Sequence, residues 1–297
     1  MPDSPRRFSP ATVFFALLSL VLGIALYVKT RPVDTPATAP DRPSPPVSTG
    51  RKPRRTAVPA PARAPEPAPR APVRDARDGR IAIVIDDLGN DRAALERIAA
   101  WRYDVAGAVL PGLPDSAAAA RELARSGKEV LLHLPMEPDG YPQVRPGPGV
   151  VLRSDSDERI AEIVAADLET VPGAIGVNNH MGSAATADAR VMRAVVRVLA
   201  DRGLFLLDSR TTEASVARRV AKEISVPAVS RRVFLDSVPK AAAIDRSFRE
   251  LLAKAREEGS ALAIGHPYPE TMAMLERELP KLEEKGITLV RVRTLLE

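Results

Sequence analysis

IAIVIDDLG, residues 81–89, is a short apolar run closed by two adjacent carboxylates, Asp86 and Asp87, and a Leu-Gly turn. A run of this length with no polar residue inside it reads as a strand buried on both faces, as in a parallel sheet covered by helices. Four more runs share the pattern. EVLLHL (129–134) reaches His133, GAIGVN (173–178) leads to His180, LFLLD (204–208) ends at Asp208, and ALAIGH (261–266) ends at His266. These are the only three histidines in the chain, and each sits where an apolar run stops. In parallel α/β architectures the carboxyl ends of the strands are where chemistry is assembled. Asp, Asp, His, His, Asp and His delivered to one face would suit a divalent metal.

Helical patterns separate these runs. They are DRAALERIAAW (91–101), DSAAAARELARSG (115–127), SDSDERIAEIVAADLETV (154–171), DARVMRAVVRVLADRG (188–203), AIDRSFRELLAKAREEG (243–259) and PETMAMLERELPKLEEKG (269–286). Residues 160, 163, 164 and 168 trace one apolar helix face, and Gly127, Gly203 and Gly259 stand where helices end. VAGAVL (105–110), VPAVSRRVFLD (226–236) and ITLVRV (287–292) add further strands. Alternating strands and helices with short connections imply a parallel sheet with helical crossovers. Seven or eight strands predict an α/β fold of the barrel or distorted-barrel kind. No glycine-rich phosphate loop follows the first strand, which argues against a nucleotide cofactor.

The first 80 residues have a different composition. Residues 11–28, ATVFFALLSLVLGIALYV, carry no charge and are about the length that spans a bilayer. A cleaved signal peptide has the same ingredients, but the long apolar core with no A-x-A-like site after it favours an uncleaved anchor over residues 1–31. The short N-terminus then lies inside, and the chain is expected as a single-pass protein of the bacterial inner membrane with its globular part in the periplasm. Residues 32–80 hold 13 of the 29 prolines and few large apolar side chains. Such a stretch cannot offset its ordering entropy and is expected to be a disordered tether. Charge divides at the same place. The chain carries +5 overall, and residues 1–80 hold 14 Lys+Arg against 6 Asp+Glu, a net of +8, which leaves 81–297 at −3. The high pI belongs to the tether, so a nucleic-acid function for the globular part, 81–297, is a poor inference from pI. Absence of cysteine excludes disulfides and thiolate metal ligands.

Individual residues admit two readings each. Asp86-Asp87 fits a metal ligand beside a general base, and equally an Asx turn or helix cap. His133 with Glu137 four residues on suits Zn²⁺ or a similar ion, or else ordinary backbone hydrogen bonding. Asn178, Asn179 and His180 suit either a turn or the binding of a sugar hydroxyl or acetyl oxygen. Asp208 and Ser209 could orient an imidazole or substrate, or cap a helix. His266 before Pro267 is a candidate general acid.

The ordered set VIDDLG (84–89), HLPMEP (133–138), NNHMGS (178–183), LDSRT (207–211) and GHP (265–267) resembles the polysaccharide deacetylase (NodB-homology) superfamily, and within it the divergent bacterial branch. The resemblance covers about 81–297. It implies a distorted (β/α)₇ barrel, a bound divalent metal, most simply Zn, and a metal-dependent carbohydrate N-deacetylase acting on a cell-envelope glycan. It assigns Asp86 as the catalytic base, His266 as the acid, and Asp87 and His133 as metal ligands. The superfamily's second motif carries a further histidine where this chain has Glu137. His180 is then expected as the third ligand with Glu137 in reserve, and Glu137, Asn179, Asp208 and Ser209 as orienting or substrate-binding residues. That departure also keeps open a second reading, a catalytically degenerate envelope protein that binds glycan or a protein partner.

Overall fold

Strands and helices alternate along residues 79–297, the part of the chain that the computed structural model describes. The expected membrane span and all but the last two residues of the expected tether lie outside the described residues. Among the described residues, no helix is long and apolar enough to cross a membrane. The order is β1 (Gly79–Leu88), α1 (Arg92–Ala100), β2 (Ala106–Val109), α2 (Ser116–Arg125), β3 (Val130–Met136), α3 (Asp157–Thr170), β4 (Gly176–Met181), α4 (Ala189–Arg202), β5 (Phe205–Asp208), α5 (Ala217–Ile224), β6 (Ala228–Ser230), β7 (Val233–Phe234), α6 (Ala241–Glu258), β8 (Ser260–Gly265), α7 (Pro269–Glu278) and β9 (Ile287–Leu289).

Helix boundaries follow local chemistry. Asp91, Ser156 and Asp188 accept hydrogen bonds from the first free amides of α1, α3 and α4. Gly203 ends α4 in the left-handed conformation that glycine adopts without penalty. The pattern over 269–286 predicts one helix, but α7 stops at Glu278 and short 3₁₀ turns follow. Pro280 supplies no backbone N–H to continue the ladder. The run 226–236 is interrupted at Arg231-Arg232 and becomes two short strands.

All the strand pairs are parallel, and the hydrogen-bonded order is β6-β5-β4-β3-β2-β1-β8-β7, with β9 on the start of β1. The two edge strands, β6 and β7, are consecutive in sequence and do not pair with each other. Laid flat, eight strands spaced by about 4.8 Å would hold these edges about 34 Å apart. The three Cα steps from Ser230 to Val233 reach about 11 Å at most. The sheet therefore curls round on itself. It forms a barrel-like α/β fold that stays open along one seam, with eight strands in the path, against the seven or eight of the sequence pattern and the seven that the resemblance implies.

Curling gives the sheet two apolar faces, and period-2 alternation sorts the side chains between them. Ile81, Ile83 and Ile85 of β1 pack outward under the helices. Ala82 and Val84 point inward with Ala106, Ala108, Leu131, Phe205, Leu207, Leu262 and Ile264. Val292 and Leu295 close the amino-terminal end of this interior. Buried Glu129 fastens that segment, accepting hydrogen bonds from Val292 N at 2.7 Å and Arg293 Nε at 2.6 Å.

Space inside is tight at Gly176, where an added Cβ would stand 2.5 Å from the Phe205 ring. Gly176→Ala should cost about 1–3 kcal/mol through overpacking, and Phe205→Leu in the same chain should recover part of it. Urea unfolding of the two single variants and the double variant measures the coupling; strictly additive losses would show that the two side chains do not meet.

A second packing constraint lies outside the barrel. The turn at Gly149 (φ +70°) lies on the Asp167 carboxylate of α3, where a Cβ would fall 2.2 Å from Oδ1. Asp167 is buried and its Oδ2 has no hydrogen-bond partner among the described residues. Burial disfavours the charge and pushes this carboxyl up to about 7. Between about pH 4 and 7 the folded chain keeps a proton that the unfolded chain releases. This group's contribution to stability is thus complete below about pH 4 and lost as the pH rises through 7. Over that interval the urea midpoint of Asp167→Asn should fall less than that of the wild type; parallel pH profiles would mean that Asp167 is solvated.

Candidate metal centre and acid–base site

Six strands present a polar residue two positions after an inward-facing one, at the carboxyl end of the barrel. Val84 is followed by Asp86, Leu131 by His133, Gly176 by Asn178, Leu207 by Ser209, Phe234 by Asp236 and Ile264 by His266. His180 continues the same alternation one step above Asn178. The site is thus the polar top layer of an otherwise apolar stack.

Asp87 breaks the alternation. Its backbone is left-handed (φ 59°), and the register between β1 and β2 shifts between Ile85 and Leu88. The bulge turns Asp87 to the same mouth as Asp86, which a regular strand would not do. Met181 (φ 54°), after His180, and Arg210 (φ 47°), after Ser209, are also left-handed. Three of the four non-glycine residues with positive φ among the described residues therefore adjoin or belong to this mouth. Backbone strain collects at functional sites when the surrounding structure enforces it.

Three ligand atoms converge there. His133 Nε2 lies 3.2 Å from Asp87 Oδ1, His180 Nδ1 lies 3.1 Å from the same oxygen, and the two nitrogens are 3.0 Å apart. Donor atoms bound about 2.1 Å from one ion lie roughly 3.0–3.4 Å apart in octahedral or tetrahedral geometry. The triangle fits such an ion. Asp87 Oδ1 is buried and makes no hydrogen bond, and neutral imidazole with carboxylate is a donor set for divalent metals. The two imidazoles outweigh the effect of burial and hold the Asp87 carboxyl well below its usual range.

Two further titratable groups border this triangle. Asp86 is almost wholly buried, with Oδ2 3.5 Å from His133 Nε2; burial raises its carboxyl above the ordinary value despite the nearby imidazoles. His266 directs Nε2 toward the centre, 3.8 Å from Asp87 Oδ2. Its Nδ1 is 2.9 Å from Asp236 Oδ1, and its backbone N donates to Asp236 Oδ2 at 2.6 Å. Thr271 Oγ1 donates to the same carboxylate at 2.7 Å. Burial pulls the His266 imidazolium toward losing its proton, but Asp236, Asp87 and Asp86 together hold its pKa above the ordinary value.

The remaining candidates stand apart from the triangle. Glu137 accepts from Arg153 N at 2.6 Å and Arg153 Nε at 3.1 Å, and so pins the loop after β3. Asp208 accepts from Arg210 N and Ser215 Oγ, both at 2.9 Å, and shapes the turn after β5. The carboxylate that holds an imidazole is Asp236, not Asp208. Asn179 bridges two turns, donating to Met181 O at 2.7 Å and accepting from Ser209 N at 2.9 Å. Ser209 Oγ lies in the polar layer, 3.3 Å from Asn178 Nδ2. Asp236 was not singled out in the sequence, although VFLD (233–236) repeats the signal of an apolar run closed by a carboxylate.

The sequence pattern of the family described as divergent polysaccharide deacetylase matches residues 83–296, nearly all of the described fold, and the chain belongs to that family. Two curated relatives are similar over the same part. An uncharacterized protein of Haemophilus influenzae is 39% identical over 205 residues, 69% of this chain and 72% of the relative. The uncharacterized protein YibQ of Escherichia coli K12 is 37% identical over 219 residues, 73% of this chain and 67% of the relative. Among solved structures, that of the uncharacterized protein ATU2773 from Agrobacterium tumefaciens superposes with a TM-score of 0.71 at 28% identity, covering 75% of this chain and 92% of the other.

The triangle makes a direct expectation. The purified protein should take up one equivalent of zinc, read by titration calorimetry and metal analysis after dialysis. His133→Ala should abolish stoichiometric uptake, whereas Glu137→Gln should leave it intact. Full-affinity binding in His133→Ala would place the ion elsewhere.

Proposed function

We propose that the protein is a metal-dependent carbohydrate N-deacetylase, with Zn²⁺ the best match to a site of two imidazoles and one carboxylate. The observation that carries this reading is the placing of Asp86 and His266 beside the Asp87–His133–His180 triangle, 3.5 Å from His133 Nε2 and 3.8 Å from Asp87 Oδ2. A divalent ion held by those three residues supplies the positive charge that polarises an amide carbonyl and makes a water molecule acidic. Asp86, buried beside His133, accepts the proton of the attacking water. The Asp236 carboxylate against Nδ1–H favours the imidazolium form of His266, which carries a second proton on Nε2 and donates it to the departing amine. Water adds to the acetyl carbon, the C–N bond breaks, and acetate and a free amine are the products.

We place the substrate among the N-acetylated glycans of the cell envelope. The family supports the glycan; the apolar span 11–28 and the proline-rich stretch after it support an inner-membrane anchor and a tether that let the domain work in the periplasm. His180 in the triangle, where Glu137 is committed to Arg153, favours catalysis over the binding-protein reading.

Acetate release from N-acetylated oligosaccharides by the zinc-loaded protein tests this reading. Asp86→Asn and His266→Ala should each lower kcat by about two or more orders of magnitude while zinc stoichiometry and the unfolding midpoint stay near wild type. A zinc-loaded wild-type protein that releases no acetate from any such glycan would leave the glycan-binding reading in its place.

A further inference from the structure

Asn178 is completely buried and stands where one side chain can touch both halves of the site. Its Nδ2 lies 2.9 and 3.1 Å from the two oxygens of Asp86, and 3.3 Å from Ser209 Oγ. Its Oδ1 lies 3.0 Å from His133 Nδ1. Among the described residues, the side-chain hydrogen bonds to Asp86 come from Asn178 alone. No polar atom of this amide is left to meet a sugar.

Chemistry orders these contacts. An ionised carboxylate only accepts, so the amide nitrogen must face Asp86. The amide oxygen then faces His133, and only an Nδ1–H can bond to it. The lone pair of His133 is therefore on Nε2, the atom that meets Asp87 and His180. The β3–β4 register, which sets His133 against Asn178, makes the contact possible.

We propose that Asn178 is a positioning residue with two tasks: its carbonyl fixes the tautomer and ring orientation with which His133 faces the ion, and its NH₂ group fixes the orientation of the Asp86 carboxylate. The Asp86 task rests on the deacetylase reading; the His133 task needs only that the triangle binds a cation. A neutral amide is the side chain of this size that offers an acceptor to one partner and donors to the other. A carboxylate in its place would keep the bond from His133 and lose the donors to Asp86.

Two substitutions in the full chain separate the tasks. In Asn178→Asp the zinc Kd should stay within about threefold of wild type, because His133 keeps an acceptor, while kcat on an N-acetylated oligosaccharide falls about 100-fold with little change in KM. In Asn178→Ala the zinc Kd should weaken about 10- to 100-fold, the usual effect of losing a partner of a ligating histidine, and kcat should fall as well. Crystal structures read the same split without turnover: the Asp86 carboxylate moves in both variants, the His133 ring only in Asn178→Ala. The proposal is overturned if zinc affinity falls equally in both variants in step with the thermal unfolding midpoint, which would make Asn178 a packing residue, or if Asn178→Ala keeps wild-type Kd and kcat. Should the wild type bind zinc and hydrolyse nothing, the deacetylase reading fails, and the zinc titrations and crystal structures still decide the role of Asn178.

Discussion

The chain passes from one edge of its sheet to the other through Arg231 and Arg232 alone, and that short link dictates where every site residue ends up. An eight-stranded sheet whose first and last strands are tied so closely must bend back on itself. The effect on the site is large. Between β1 and β4 lie three strand spacings, about 14 Å on a flat sheet, yet Asn178 Nδ2 of β4 is 2.9 Å from Asp86 Oδ1 of β1. The interior is narrow enough for side chains from opposite walls to bond directly. Arg231 also helps hold the seam that no strand ladder closes. Its guanidinium donates to Ser209 O at 2.6 Å and Arg210 O at 2.7 Å, and lies 4.8 Å from the centre of the Phe234 ring.

A barrel interior built this way is apolar below and charged above, and the charged layer is a liability. Unpaired buried charges are strongly destabilising, and paired ones are close to neutral at best. The site answers by giving most of these groups a hydrogen-bond partner on another strand: Asp86 with Asn178, His266 with Asp236, His133 with Asn178. Asp87 Oδ1 is the exception, buried and without a hydrogen bond. Left-handed backbone at Asp87, Met181 and Arg210 adds to the cost. Local rules of sequence and structure are broken together at one place, which is where a functional site is expected to break them.

The surrounding architecture compensates. Beneath the polar layer the interior is filled by small and branched residues on several strands, sealed at the far end by Val292 and Leu295 and locked by Glu129. The larger cluster between sheet and helices holds the strands at fixed heights. Rigidity below allows precision above: loops carry turns such as Asp208 to Ser215 and Glu137 to Arg153, while the reactive groups sit on or directly after strands.

The sequence by itself determined the strand–helix alternation and the identity of most residues at the mouth. Strands buried on both faces must be apolar along their length, so IAIVI, EVLLHL and ALAIGH stand out, and the polar residues that end them stand out as well. Tertiary structure alone decided which of these residues meet. Strand order, curl and register are properties of long-range pairing, invisible in any single run. They set His133 beside Asn178, commit Glu137 to Arg153 and give His266 its carboxylate from Asp236 rather than from Asp208, although both aspartates close apolar runs. The bulge that aims Asp87 inward was also beyond reach, because a left-handed residue inside a strand has no apolar pattern to announce it. Residue type is written locally, whereas proximity across a closed sheet depends on how the two edges are joined.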